Sequence, residues 1–355
     1  PDSCPFAQGY YDRLPDALRE VSSRPGLGYT REKIEALARL YTLCPYELSL
    51  DVSLFSDVII CDYNYVFDPM VYLRRFFQYG DPKGYVLLVD EAHNLVDRSR
   101  EMFSGIVRKR HVHAAKKVVD PEDHPELSDG LKRMNSYFIS LRNTMKEESL
   151  RFWVADDIDT EFQENVAEIL EHLTNYFSGL RGDPIPDEIT VLYRLLLQYS
   201  VVSDLQSAGH RFFAELGGSD VLVKLLCIDP SDFLRRITDR CRAAVFFSAT
   251  LTPFEYFTGL IDGGERVVTL SLDSPFPREN LGVFIDSKIS TRYRDRDLTV
   301  KPIVEYVKSF YGRGNCIFFF PSYAYLEMVN NELAEKSPEY EILVQERGMD
   351  DFGRR

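Results

Sequence analysis

The feature that most constrains the fold is an apolar run that ends in two acids. Residues Tyr85 to Val89 are all apolar, and Asp90 and Glu91 follow them directly. An unbroken apolar run is typical of a strand in a parallel sheet, because helices cover both faces of such a sheet. Open α/β sheets place their ligands at the carboxyl ends of these strands. The run therefore predicts an α/β fold with a ligand site at Asp90 and Glu91.

Similar short runs recur along the chain, and helical patterns separate them. The other predicted strands are Asp57–Asp62, Val221–Cys227, Ala243–Phe247 and Cys316–Phe320. The predicted helices begin at Thr30, as an N-cap, and lie at Pro69–Phe77, Leu131–Leu150, Ile158–Leu180, Ile189–Leu205, Val300–Tyr311 and Tyr323–Lys336. Long helices dominate from Arg98 to about Gly217. The order predicts an α/β segment, a helical insertion, and α/β structure again.

Net charge argues at first against a polyanionic partner. The formal net charge is −14, which disfavours nucleic acid. The charge is uneven, since residues 150–190 carry a net −8 and residues 98–117 carry a net +6. Such a basic stretch is usually a solvated face, and a nucleic-acid contact is the open alternative.

Cysteine spacing and hydropathy exclude two further classes. The six cysteines lie far apart, which argues against a disulfide framework and favours a reducing compartment. No apolar run exceeds five residues, so the sequence holds neither a transmembrane helix nor the core of a signal peptide.

The residues at 90–93 are the strongest candidates for chemistry. Asp90 could hold Mg²⁺, which prefers a few hard oxygens and keeps several waters. Glu91 could orient or deprotonate a water that attacks a γ-phosphate, and His93 would lie just beyond. The alternative is an acidic pair that caps the next helix. A zinc protease is excluded at this position because the His-Glu-x-x-His spacing is absent.

A second candidate is the Ser248-Ala249-Thr250 segment, which follows the predicted strand at Ala243–Phe247. Hydroxyl groups beside a phosphate site can relay hydrogen bonds between a nucleotide and another ligand. Taken alone, the segment equally fits a turn that caps the next helix. Combined with Asp90-Glu91-Ala92-His93, it becomes specific.

At this point the sequence resembles a known family. The residues at 90–93 and 248–250 look like motifs II and III of superfamily 2 helicases. Further segments are similar to the XPD/Rad3/DinG group of iron–sulfur DNA helicases, in the same order along the chain: Cys44-Pro45-Tyr46, Val58–Tyr65, Cys227–Ser231, Ser274–Pro277 with Glu279-Asn280, and Phe318–Tyr323.

The resemblance implies a RecA-like motor domain with insertions. It implies five segments: the end of an iron–sulfur domain (1–50), motor domain 1 with motif II (51–97), a helical Arch domain (98–217), a return to motor domain 1 with motif III (218–262), and the start of motor domain 2 (263–355). It also implies that Cys4 and Cys44 are two of the four ligands of a 4Fe–4S cluster, since iron–sulfur clusters take thiolates.

The sequence departs from the family pattern in three places. It has no Gly-x-x-x-x-Gly-Lys-Ser/Thr loop to cradle phosphates, no counterpart of the first two cluster cysteines, and no arginine motif after Phe320. We therefore expect the chain to be an internal fragment that is inactive alone.

The resemblance implies an ATP-dependent DNA helicase, with Mg²⁺, that moves 5′ to 3′ on single-stranded DNA and meets duplex junctions. Asp90, Glu91 and His93 would be catalytic, Ser248 and Thr250 would couple hydrolysis to movement, and no membrane is involved. Expected DNA contacts are Tyr63, Asn64 and Tyr65, whose rings could stack on bases, and the basic residues Arg108, Lys109 and Arg110. The protein would be nucleoid-associated in a bacterium and nuclear in a eukaryote.

Two other readings stay open. One is a non-catalytic DNA-binding scaffold that keeps the helicase architecture without the phosphate loop. The other is a zinc-stabilised fold in which Cys4 and Cys44 bind zinc instead of iron.

Overall fold

The computed structural model describes residues 4–24, 26, 28–179, 184–264, 266–312, 314–337 and 340–346. The chain divides into two compact units, residues 1–269 and residues 270–355. Within the described ranges, no helix is long and apolar enough to cross a membrane.

The first unit begins with a three-helix cluster: α1 (Tyr10–Ser22), α2 (Arg31–Tyr41) and α3 (Pro45–Ser53). The predicted start of α2 is confirmed, because Thr30 has an extended backbone and the helix begins at the next residue. Proline at the first position of α3 is favourable, since the amide it lacks would have no helical partner there. Ala17, Leu43 and Leu48 are fully buried where the three helices meet.

Two one-turn helices follow: α4 (Asn64–Phe67) and α5 (Arg74–Phe77). The predicted strand at Asp57–Asp62 is wrong. That segment pairs with no described strand, and the Ile60 side chain is 95% exposed. Apolar β-branched residues favour a strand only where a neighbour pairs with the backbone and covers the side chains. The predicted helix at Pro69–Phe77 forms only in its last turn, as α5.

The remaining elements of the first unit are β1 (Val86–Val89), α6 (Leu95–Met102), β2 (Gly105–Arg108), α7 (Lys109–Val118), α8 (Pro125–Glu147), β3 (Phe152–Ala155), α9 (Thr160–Gly179), α10 (Asp187–Asp204), β4 (His210–Gly217), β5 (Asp220–Cys227), α11 (Ser231–Thr238), β6 (Ala243–Phe246) and α12 (Phe254–Asp262).

Strands β1 and β6 form a parallel pair, in which Val86 lies opposite Ala243 and Val89 opposite Phe246. The two strands predicted here are confirmed, and with them the α/β class of the fold. Coverage is less complete than the apolar runs predict, because the Val86 and Leu88 side chains are 51% and 70% exposed. Val89, at the carboxyl end, is buried against Ala92 and Leu95.

A second sheet has four antiparallel strands in the order β2-β5-β4-β3. The predicted helices α8, α9 and α10 are present, but the stretch expected to be helical also holds β2, β3 and β4. Strand β5, which falls in the segment expected to return to motor domain 1, pairs with β2 and β4. Strands β4 and β5 form a hairpin whose tight turn uses Gly218 at a φ of +67°. The division into domains stays a prediction.

Helices α7 to α10 pack with this sheet around a large apolar core. Phe162 of α9, Tyr199 of α10 and Phe212 of β4 are essentially inaccessible to solvent, and the Phe162 ring contacts the rings of the other two. The stripe predicted from Ile158 onward supplies Phe162, Val166, Ile169 and Leu173 to this core. The amphipathic pattern therefore located the packed face of α9 correctly.

The described residues of the second unit form two α-helices, α13 (Arg296–Phe310) and α14 (Tyr323–Lys336), close to the predicted bounds. They pack through Val304, Tyr325 and Leu333. The predicted strand at Cys316–Phe320 is wrong, since it pairs with no described strand and Phe319 is 92% exposed.

Candidate functional site

The two candidate motifs meet at the carboxyl ends of β1 and β6. Because these strands are parallel and in register, the residues that follow them emerge at the same edge of the sheet. The backbone continues this pairing, since the Phe247 amide donates to the Val89 carbonyl and the Ala92 amide donates to the Phe247 carbonyl at 3.1 Å. The 90–93 and 248–250 segments are thus fixed beside each other by main-chain bonds.

Side chains from both segments converge on one point. His93 Nδ1 lies 2.7 Å from Ser248 Oγ and 3.2 Å from Glu91 Oε2. Ser248 Oγ lies 3.3 Å from the same Glu91 oxygen and 3.4 Å from Thr250 Oγ1. A carboxylate, an imidazole and two hydroxyl groups therefore form a continuous hydrogen-bonded set.

Glu91 has an unusual backbone. Its φ is +47°, in the left-handed region that residues other than glycine rarely adopt. This conformation costs about 1–2 kcal/mol and reverses the chain immediately after β1. The Glu91 side chain is 61% exposed, so its carboxylate is open to water while one oxygen contacts His93 and Ser248.

Asp90 is also exposed, and its Oδ1 accepts the Glu91 amide at 2.7 Å. Within the described ranges, Oδ2 of Asp90 accepts no hydrogen bond. No described cluster of three or more His, Cys, Asp or Glu side chains could hold a metal ion. Mg²⁺ commonly takes one or two carboxylates together with waters and substrate phosphates, so a lone open Asp90 oxygen fits it.

The predicted DNA contacts are placed differently from one another. Tyr63 turns toward the site, and its hydroxyl donates to the carbonyl oxygens of Asp90 and Glu91. The Tyr65 hydroxyl forms no hydrogen bond within the described ranges. Asn64 Oδ1 is buried, and no donor reaches it in the described part of the chain. Tyr63 therefore contacts the motif II turn, a contact that the sequence pattern does not signal.

The predicted basic contacts lie at the start of α7. Arg108 and Arg110 both approach Asp220 Oδ2, at 3.8 and 3.9 Å, and the Arg110 amide donates to Asp220 Oδ1. Burial and the nearby Arg142 lower the pKa of Lys109. An acid from the tip of the β4–β5 hairpin thus offsets part of this basic patch, and no periodicity in the sequence reveals that pairing.

Cys4 and Cys44 both belong to the three-helix cluster at the start of the first unit. Cys4 is exposed, Cys44 is half-buried at the N-terminus of α3, and both are free thiols. Arg13 of α1 connects their segments, because its guanidinium donates to the carbonyls of Pro5, Gln8 and Thr42. The two segments are thus held together, and thiolates are the ligands that iron–sulfur clusters take.

Comparison with known proteins gives the same class as the site. Residues 2–112 match the DEAD_2 family. The ATP-dependent DNA helicase chl1 of Schizosaccharomyces pombe is 20% identical over 94% of this chain and 47% of its own length. The XPD helicase subunit of general transcription and DNA repair factor IIH from Arabidopsis thaliana is 33% identical over 30% of this chain and 13% of its own. A solved structure, S. tokodaii Xpd4, covers 92% of this chain and is covered to 74%, with 14% identity and a TM-score of 0.44.

The first third of the chain is thus similar to the DEAD_2 family, and relatives named as DNA helicases match longer stretches at lower identity. These similarities confirm the resemblance to the XPD/Rad3 group that the sequence motifs show. The chain spans less than half the length of the two curated relatives named above.

Proposed function

We propose that this chain forms part of an ATP-dependent DNA helicase of the XPD/Rad3 type. The full-length protein would hydrolyse ATP, move 5′ to 3′ along single-stranded DNA and unwind duplex at junctions. The observation that carries the proposal is the meeting of Glu91, His93 and Ser248 at adjacent strand ends. Relatives whose names include ATP-dependent DNA helicase support it.

Glu91 is suited to orient the attacking water. Its carboxylate is exposed on one side and held by His93 and Ser248 on the other, so it can accept a proton from a water in fixed geometry. Asp90 would hold Mg²⁺ through its open oxygen. The ion, when bound, would neutralise phosphate charge.

His93, Ser248 and Thr250 would transmit the state of the site. They connect the turn after β1 to the segment after β6 through hydrogen bonds of 2.7 to 3.4 Å. A shift of the Glu91 carboxylate would change the bonds of His93 and Ser248 directly. That change would pass to Thr250 and the chain that leads into α12.

Single-stranded DNA would lie along the Tyr63–Tyr65 segment. Tyr65 offers an aromatic ring for base stacking, which contributes about 1–3 kcal/mol per base. Asn64 is a weaker candidate, because its side-chain oxygen is buried. Lys109 is a further candidate for a phosphate contact, and Arg108 and Arg110 are weaker ones because Asp220 already pairs with them.

A 4Fe–4S cluster would be held in part by Cys4 and Cys44, with the other ligands supplied elsewhere in the full-length protein. The relatives come from eukaryotes, so we propose a nuclear location.

The test is Glu91→Gln in the full-length protein. Glutamine keeps the hydrogen-bonding shape but cannot accept the proton, so we expect normal ATP binding and a loss of turnover of at least about 100-fold. Glu255→Gln, at an exposed position in the first turn of α12, is the matched control and should leave turnover unchanged. Normal turnover by Glu91→Gln would contradict the catalytic role of Glu91, whereas a full-length wild-type protein without ATP turnover would contradict the proposal and favour the non-catalytic scaffold.

A further inference from the structure

The contact between Tyr63 and the motif II turn has a specific geometry. One phenolic hydroxyl faces two consecutive carbonyl oxygens, those of Asp90 and Glu91, and lies 2.9 Å from the second. Two successive carbonyls can reach one donor here because Glu91 turns the chain with a φ of +47°. The hydroxyl therefore contacts Glu91, the residue with the left-handed backbone conformation.

A left-handed glutamate needs support from its surroundings. Strained backbone persists only where neighbouring groups hold it, and the Glu91 carboxylate contacts His93 in its own turn and Ser248 beyond β6. Within the described ranges, the other bonds that hold this turn come from Asp90 Oδ1, the Phe247 carbonyl, the Asn94 amide and Tyr63. Of these, only the Tyr63 contact comes from a side chain outside both motifs.

Tyr63 is itself held in place. It immediately precedes α4, whose Phe67 is 2% exposed and packs in the same apolar cluster as Val89 and Ala92. Burial, and then the nearby carboxylates of Asp90 and Glu91, raise the pKa of Tyr63, so the hydroxyl remains a donor at neutral pH. Its position thus follows from the packing of α4 against the end of β1.

We propose that Tyr63 is a positioning residue for Glu91: its hydroxyl holds the left-handed turn that directs the glutamate carboxylate to His93, Ser248 and the attacking water. The inference rests on the proposed ATP hydrolysis. It separates two roles of Tyr63, since the ring could face a DNA base while the hydroxyl acts on the motif II turn.

Tyr63→Phe in the full-length protein tests this, because phenylalanine keeps the ring and removes the hydroxyl. We expect kcat for ATP hydrolysis at saturating single-stranded DNA to fall about 10-fold. The KM for ATP and the affinity for a labelled oligonucleotide should stay within about two-fold of wild type. Tyr79→Phe is the matched control, since Tyr79 is 75% exposed and its hydroxyl has no partner in the described part of the chain, and it should leave kcat unchanged.

A second measurement does not depend on turnover. Amide hydrogen exchange of the peptide that contains residues 90–94 should be faster in Tyr63→Phe than in wild type, and unchanged in Tyr79→Phe. Unchanged exchange in Tyr63→Phe, or a normal kcat, would overturn the inference. So would an effect confined to KM or to DNA affinity.

Parallel assays of Glu91→Gln distinguish a failure of the positioning role of Tyr63 from a failure of the proposed function. An inactive Glu91→Gln beside a normal Tyr63→Phe removes only the positioning role. A fully active Glu91→Gln removes the catalytic role of Glu91, and a wild-type protein without ATP turnover removes the proposed function itself.

Discussion

The two sheets of the first unit contrast in how they are supported. The antiparallel sheet β2-β5-β4-β3 packs against α7 to α10, and its core residues, such as Phe162 and Phe212, have almost no solvent contact. The parallel pair β1-β6 leaves Val86 and Leu88 half or more exposed. The candidate catalytic residues nevertheless follow β1 and β6, the more exposed pair of strands. Stability and chemistry are thus concentrated in different parts of the same unit.

The largest stability effect should come from the antiparallel region. Phe162 is fully buried and its ring contacts Tyr137, Phe138, Tyr199 and Phe212. Phe162→Ala should lower the free energy of unfolding by about 3–5 kcal/mol, because it removes apolar contacts and leaves a cavity. Leu88→Ala in β1, at a site 70% exposed, should cost well under about 1 kcal/mol. Urea unfolding followed by circular dichroism measures both, and equal losses would refute the contrast.

A smaller effect is expected where β2 crosses α10. A Cβ atom at Gly105 would lie 2.6 Å from the Tyr199 Cα, so main chain would have to move. Gly105→Ala should therefore destabilise the protein by about 1–3 kcal/mol. Gly217→Ala is the control, since nothing lies within 4 Å of a Cβ atom there. A Gly105→Ala protein as stable as wild type would show that β2 and α10 do not pack this closely.

The smallest effect should appear at the junction of the two regions, as a pH dependence. His210 of β4 donates from Nε2 to the Phe103 carbonyl at 2.9 Å, and Nδ1 accepts the Ser207 amide. Burial lowers the pKa of His210 below its ordinary value, so the folded protein keeps it neutral. Below about pH 6.5 the unfolded chain binds a proton that the folded chain does not, and stability falls as pH decreases toward the folded pKa.

The test compares unfolding free energies of wild type and His210→Asn between pH 7 and pH 5. The variant should lose part of the pH dependence. Burial also lowers the pKa of His111, which contributes with the same sign in both proteins and cancels in the comparison. Identical slopes for the two proteins would contradict the assignment to His210.

The sequence predicted those elements whose local pattern matched their final surroundings. The helical stripe of α9 and the strands before Asp90 and Ser248 were located correctly, whereas the roles of the residues that converge beyond those strands stay predictions. The predicted strands at Asp57–Asp62 and Cys316–Phe320 failed because an apolar run does not specify a partner strand. Strand β4 was missed, although its alternation and the Gly-Gly turn before β5 are an ordinary hairpin signal.

Other features of the site depend on three-dimensional contacts alone. The left-handed Glu91, the Tyr63 hydroxyl beneath it and the Asp220 pairing of Arg108 and Arg110 join residues far apart in sequence. No spacing rule connects them. These contacts form because the packing of helices and strands places donors and acceptors beside each other.

The pairing of β2 with β5 has a consequence for how the chain folds. Strands β1 and β6 are separated by a long stretch of sequence, and closing such a loop costs conformational entropy. Gly105 lies opposite Leu225 in the antiparallel sheet, so the intervening region brings its own two ends together when it folds. The loop that then remains to be closed consists only of two short segments, from Val89 to Gly105 and from Leu225 to Ala243. Once the region between Gly105 and Leu225 has folded, β1 and β6 can pair by closing a much shorter loop.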